Sequence, residues 1–259
     1  MALEIKPLKE SHKVTYRQPK SEILPRIPFR GLVLAPSNSG KTVSVVNMLT
    51  RDDMYKGCFS HVYWCSPSAT IDSALDPLRE FVSKHLPEQD QETDPTFHDF
   101  VDVKFLESRV ARQRRIVEYM KKTKQKQHAP AMCIVLDDLA DVKRGLPEVA
   151  KFVDSAFVKL RHWGVSCVLC TQRLRLPLIS PTVRVNVTFA LVFRLRANSD
   201  LMDGFIEEYA SIVPKKTLLE MYRIATDVPY GFLFLNLMEQ DRNKIFHNAF
   251  KSRFILDSK

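Results

Sequence analysis

An α/β fold with a central, mainly parallel sheet flanked by helices is what this sequence predicts, and three observations predict it. Short apolar runs alternate with helix-patterned segments along most of the chain. Several of those runs are apolar at every position, as strands covered on both faces require. The first run passes directly into a small-residue loop and then a helix pattern, the local order of an anion-binding turn. The chain is long enough, at 259 residues, to bury a substantial core. With 45% hydrophobic and 27% charged residues it has the balance of a folded protein. Only seven glycines exclude a collagen-like or glycine-rich low-complexity chain.

Residues 1–28 are polar, basic and dotted with Pro7, Pro19, Pro25 and Pro28, and read as an arm over the surface of a single domain at 29–259. Strands are expected at 30–35, 60–65, 101–106, 132–137, 165–171, 187–195, 231–236 and 244–250. The last two, joined by the polar segment 238–243, predict an antiparallel hairpin at the sheet's edge. Helices are expected at 41–50, 107–122, 147–161 and 201–224. The clearest is 147–161, where Val149, Phe152, Val153, Ala156, Phe157 and Leu160 fall on one face of a 3.6-residue period. Pro147 suits its first turn, and Gly164 stands where a C-terminal cap is wanted. The acidic stretch 88–99 reads as a solvated loop. No apolar stretch is long enough to span a bilayer, and the charged N-terminus shows no secretory signal. Five cysteines, an odd number mostly in apolar runs, read as buried free thiols; Cys167 and Cys170 form a C-x-x-C with no second metal pair. The seven histidines show no metal spacing.

The chemistry begins at Ala35-Pro36-Ser37-Asn38-Ser39-Gly40-Lys41-Thr42, which fits a phosphate-binding P-loop with alanine at the usual first glycine. Backbone N–H groups of 38–42 would curl round a β-phosphate at a helix N-terminus. Gly40 allows close backbone approach, Lys41 reaches the β- and γ-phosphates, and the Thr42 hydroxyl binds Mg²⁺. The apolar run 133–136 ends in Asp137 and Asp138, the composition of a Walker B strand. Asp137 would support the Mg²⁺ shell and Asp138 would take a proton from the attacking water. The run 165–170 ends in Thr171, Gln172 and Arg173. Active sites of open α/β sheets lie at the strands' carboxyl ends, so Gln172 would face the γ-phosphate.

These residues resemble the additional-strand P-loop ATPases, and within them the FtsK–HerA superfamily. The element Arg161-His162-Trp163-Gly164-Val165 precedes a strand ending in Thr171-Gln172-Arg173. The resemblance narrows to the genome-packaging ATPases of nucleocytoplasmic large DNA viruses, the poxvirus type. It is carried by the compact P-loop, by Asp137-Asp138 in place of Asp-Glu, by Arg161 with Gln172, and by Pro181-x-x-Arg184-x-Asn186. It covers roughly residues 28–250. It implies an ATPase that drives double-stranded DNA into a capsid as a homo-oligomeric ring, using ATP and Mg²⁺, with a capsid or portal partner, at the virion or viral assembly site in the host cytoplasm. It also implies an arginine acting in trans on the neighbour's γ-phosphate, with Arg161 first, Arg184 second and Arg173 third.

Most of the net charge of +9 comes from residues 109–126. There Arg109, Arg112, Arg114, Arg115, Lys121, Lys122, Lys124 and Lys126 face the one acid Glu118. Such a run suits sequence-independent phosphate contacts, and equally a solvated helix face with a flexible loop after it. No zinc finger or recognition-helix signature is present. Two other readings stay open: a different FtsK–HerA-type DNA pump, and a nucleotide-binding adaptor that grips DNA or a capsid without sustained turnover.

Overall fold

The computed structural model describes residues 13–139, 146–172, 174, 179–195 and 200–256. Arg173 and the first twelve residues of the arm lie outside them. Nine strands form one sheet: β1 (Arg30–Leu34), β2 (His61–Cys65), β3 (Phe97–His98), β4 (Met132–Leu136), β5 (Val165–Thr171), β6 (Phe189–Phe193), β7 (Phe232–Asn236), β8 (Phe246–Asn248) and β9 (Ser252–Arg253). Their order is β3-β2-β4-β5-β1-β6-β7-β8-β9, with β1 at the middle. Pairing is parallel from β3 through β6 and antiparallel from β6 to β9. The parallel sheet and the C-terminal antiparallel hairpin, here β7 and β8 with the short β9 outside them, agree with the sequence.

Seven helices occur among the described residues: α1 (Lys41–Thr50), α2 (Asp76–His85), α3 (Val103–Lys122), α4 (Leu146–Val158), α5 (Pro181–Val185), α6 (Asp200–Tyr209) and α7 (Lys215–Ala225). They divide between two cores, one on each face of the sheet. One face meets α3, α4, α6 and α7 through Leu106, Phe152, Phe157, Phe205 and Leu218. The other meets α1 and α2, with Leu24 and Ile27 of the arm and Phe29 just after it completing the cover. Strand residues alternate between the two, which explains the unbroken apolar runs. The C-x-x-C falls under the same rule. Cys167 and Cys170, three apart on β5, belong to opposite cores, and all five cysteines are buried and free.

Three expectations change. Residues 101–106 are not a strand. The Asp102 carboxylate accepts from the Phe105 N–H and caps α3, which therefore starts at Val103 and buries Leu106, Val110, Gln113, Val117 and Met120. The pairing strand is the two-residue β3 just upstream. The region 201–224 is two helices separated at Pro214, whose missing N–H suits the start of α7. The acidic stretch is not a solvated loop throughout: Gln89, Asp94 and Thr96 are buried. Asp94 accepts from the Tyr63 hydroxyl at 3.0 Å and pairs with Arg109 at 3.1 Å, with Arg112 at 3.8 Å. That buried carboxylate pins the first half of α3 to the sheet.

The arm, from residue 13, lies along the amino ends of the strands. Tyr16 forms a parallel bridge with Ala129, and its ring covers Gly164. Gly164 has φ 73° and caps the 3-10 turn Leu160–Trp163, and a β-carbon there would stand 2.2 Å from Tyr16. Among the described residues no helix is long and apolar enough to cross a membrane.

Candidate active site

β1 ends at Leu34, and the turn that follows delivers the chain to α1 at Lys41. Two left-handed residues shape it, Asn38 at φ 61° and Gly40 at φ 88°. Asparagine tolerates that region and glycine adopts it freely. Ala35 has no positive φ, is fully buried, and donates its N–H to Thr171 O at 3.2 Å. The departure from a first glycine therefore carries no backbone strain.

Strand order brings the other groups to this turn. β5 lies between β1 and β4, so the carboxyl ends of all three meet at one edge. Lys41 Nζ stands 3.2 Å from Asp137 Oδ1 and 3.9 Å from Asp138 Oδ1. The Thr42 hydroxyl donates to Asp137 Oδ2 at 3.1 Å. Gln172 Nε2 donates both to Ser37 Oγ and to Asp138 Oδ1, each at 3.1 Å, and so ties the phosphate loop to the second carboxylate. Asp138 is left-handed, at φ 56°, which turns its half-exposed carboxylate out of the line of β4 while Asp137 stays buried.

Charge in this cluster is balanced locally. Burial opposes the Lys41 ammonium, but Asp137 and Asp138 outweigh it and raise its pKa, so the side chain stays charged. Burial raises the Asp137 carboxyl, against the pull of Lys41 and Thr42. Beside them is a group the sequence did not reveal as part of the site. Cys170 of β5 lies against Asp137, and burial followed by that carboxylate holds its thiol well above the usual range. A second such group is Tyr230, whose ring lies over Gly40. Its signal in sequence was only a tyrosine between Pro229 and Gly231, far from any motif.

The donor set fits a nucleotide triphosphate with a hard cation. Ser39 Oγ is buried in the loop without a hydrogen-bond partner, and Asp137 Oδ1 meets only the Lys41 ammonium. Hydroxyl and carboxylate oxygens are what Mg²⁺ takes, alongside phosphate oxygens. Thr42 and Asp137 are the residues that would hold it. No group of three or more His, Cys, Asp or Glu that could hold a metal occurs among the described residues.

The arginines stand elsewhere. Arg161 lies in the 3-10 turn before β5, at the opposite end of that strand from Gln172. Seven strand residues separate the ends by roughly 20 Å, so Arg161 does not reach its own phosphate loop. Arg184 of α5 precedes β6 at the same opposite edge and pairs with Glu208 at 3.2 Å. The basic segment divides. Arg112 leans toward Asp94, and Arg114 pairs with Glu118 at 2.7 Å and covers the Trp163 ring. Arg115, Lys121, Lys122, Lys124 and Lys126 are exposed and make no ion pair among the described residues. Lys121 and Arg161 share a cavity of about 780 Å³ with Lys13, Arg26, His128 and His162, and no carboxylate lines it among the described residues. Two features read separately from the sequence, the arginine element and the basic run, thus meet on one edge.

An extra strand between the one that carries the phosphate loop and the one that ends in paired carboxylates is the defining order of additional-strand P-loop ATPases, and this chain has that architecture. Residues 17–230 match the family described as Poxvirus A32 protein. The chain belongs to that family, the poxvirus packaging ATPases that its motifs resemble. Among solved structures it is similar to the pCW3 conjugation coupling protein TcpA, solved with ATPγS, at 13% identity and TM-score 0.53 over 80% of this chain and 57% of that one. It is also similar to EssC from Geobacillus thermodenitrificans (14%, TM-score 0.44, 73% and 40%) and to the genome packaging NTPase B204 of Sulfolobus turreted icosahedral virus 2 (14%, TM-score 0.47, 83% and 94%). The likeness to TcpA shows the fold; the two below 0.5 carry no argument. The chain spans less than two thirds of the EssC and TcpA chains. No curated protein matches it.

Proposed function

We propose that this protein hydrolyses ATP, with Mg²⁺, to drive double-stranded viral DNA into a capsid as a homo-oligomeric ring. The observation that carries the reading is the closed set at the carboxyl edge: Lys41 and Thr42 on Asp137, and Gln172 joining Asp138 to the phosphate loop. Pro36, Ser37, Asn38, Ser39 and Gly40 form the loop whose backbone N–H groups would receive the phosphates. Lys41 neutralises charge on the β- and γ-phosphates. Asp138 accepts the proton of a water whose oxygen bonds to the γ-phosphorus as the bond to the bridging oxygen breaks, leaving ADP and phosphate. Gln172 holds that water and Asp138 in line. Bound Mg²⁺ supplies neutralisation of phosphate charge. Arg161, at the far edge and without an ion pair among the described residues, serves the neighbouring subunit's site. Arg184 is second to it, because Glu208 already holds its guanidinium. The free cations Arg115, Lys121, Lys122, Lys124 and Lys126 grip DNA backbone without regard to sequence. Arg112 and Arg114 add less, being engaged within the chain. A capsid or portal component would be the stationary partner, at the site of virion assembly.

The test is ATP hydrolysis by wild type and Asp138→Asn, each with and without long duplex DNA at low salt. Duplex-stimulated turnover that the substitution abolishes, with nucleotide binding retained, is the expected result. Turnover indifferent to DNA overturns the coupling. Turnover that survives the substitution overturns the role of Asp138. Binding without turnover under every condition favours the adaptor.

A further inference from the structure

The ring of Tyr230 serves none of the roles above, and its placement is specific. β7 runs antiparallel to β6, with Phe232 opposite Phe193, so the turn before β7 arrives at the carboxyl edge beside the phosphate loop. In that turn Tyr230 is 71% exposed and left-handed, at φ 60°. Bulky side chains avoid that region. Its ring nevertheless lies against Gly40: a β-carbon on Gly40 would stand 3.0 Å from Cδ1 and 3.4 Å from Cβ and Cγ. Its hydroxyl makes no hydrogen bond among the described residues. Two further aliphatic side chains lie open on the segments that meet here, Val43 in the first turn of α1 and Val228 in the same turn as Tyr230. An exposed apolar surface thus borders a strongly polar phosphate seat.

We infer that Tyr230 is the stacking platform for the base of the bound nucleoside triphosphate. The inference rests on the phosphate-loop reading above. With the β-phosphate held by the N–H groups of 38–42, the nucleoside leaves past Gly40 and the first turn of α1, toward the tyrosine. A base has two apolar π-faces and no charge, so it gains from an aromatic partner where the phosphates gain from cations and N–H groups. Stacking reads the ring and not its edge, which makes Tyr230 an affinity determinant more than a selector among bases. Gly40 then has two duties: a left-handed turn, and room for the tyrosine.

Calorimetric titration with ATPγS and with inorganic triphosphate, both with Mg²⁺, separates the base from the phosphates. Tyr230→Ala is expected to weaken ATPγS about tenfold and to leave inorganic triphosphate within about twofold of wild type. Tyr230→Phe, which keeps the ring, is expected to bind both as wild type does. Equal weakening of both ligands by Tyr230→Ala overturns the platform. So does unchanged or tighter ATPγS binding, which would make the ring only a cover for the loop. Lys41→Ala in the same series keeps the two ideas apart. If it leaves inorganic triphosphate binding intact, the phosphate-loop reading itself fails, whatever Tyr230 does.

Discussion

The two edges of the sheet are built on opposite electrostatic plans. At the carboxyl edge the charges of the phosphate-loop cluster are partnered: Lys41 sits between Asp137 and Asp138, and Gln172 bridges Asp138 to Ser37. At the amino edge lies a cavity whose described lining holds cations and no acid. Arg26, Lys121 and Arg161 line it, and Arg161 is near enough to lower the pKa of the buried Arg30, whose largest perturbation is burial itself. Balanced charge costs little and holds geometry, as a preorganised site requires. Unbalanced like charge opposes folding and persists where a partner of opposite sign is expected. The difference teaches where charge is balanced within the chain and where, in the proposed ring, an anionic partner would be taken up.

The sharpest way to break the comparison is Lys41→Ala. It should lower turnover by about a thousandfold or more and abolish triphosphate binding, read by hydrolysis and calorimetry. Arg161→Ala should leave nucleotide affinity of the isolated chain unchanged yet cost about a thousandfold in the assembled, DNA-stimulated state. Loss of activity in the isolated chain as well would place Arg161 in its own subunit's site, against the geometry. Asp94→Ala tests the third charge arrangement, a buried acid holding two arginines. It should destabilise the fold by about 3–5 kcal/mol in denaturant titrations. Replacing Lys121, Lys122, Lys124 and Lys126 together by alanine should flatten the salt dependence of duplex DNA affinity by up to roughly 3–4 units of slope, with nucleotide binding untouched.

The smallest effect expected is on acid stability. Burial lowers the pKa of His61, His98 and His247. The unfolded chain therefore takes up protons that the folded chain refuses. Stability is full above about pH 6.5 and falls as pH drops below it toward the folded pKa values. The melting temperature should decline between pH 7.5 and 5.5, and His247→Phe should shrink that decline.

The carboxyl edge was legible because its residues are contiguous. A strand, a turn and a helix start lie within Arg30–Thr42, and chemistry dictates each. The paired carboxylates and Gln172 could be read because a strand end is a short, apolar-to-polar transition. What escaped depends on contacts across long stretches of chain. Val101-Asp102-Val103 alternates as a strand does, and only the cap by Asp102 decides for helix. Asp94 looked like one of several solvated acids, because the arginines that bury it lie on α3. Tyr230 reaches the site through sheet order alone. The helical character of 201–224 is legible, but the segment divides at Pro214 into two helices.

β5 touches both plans at once. Its first residue follows Arg161–Gly164, and its last precedes Gln172. It pairs with β4 over Val165–Leu169 on one side and with β1 over Cys167–Thr171 on the other, so it cannot slide or stretch without breaking a ladder. A rod fixed in this way transmits displacement with little loss. In the proposed ring, whatever tilts Gln172 when a subunit's own phosphate departs would arrive, undelayed, at the arginine offered to the next subunit. The firing order of such a machine would then be a property of one strand's stiffness, with no need for a separate relay.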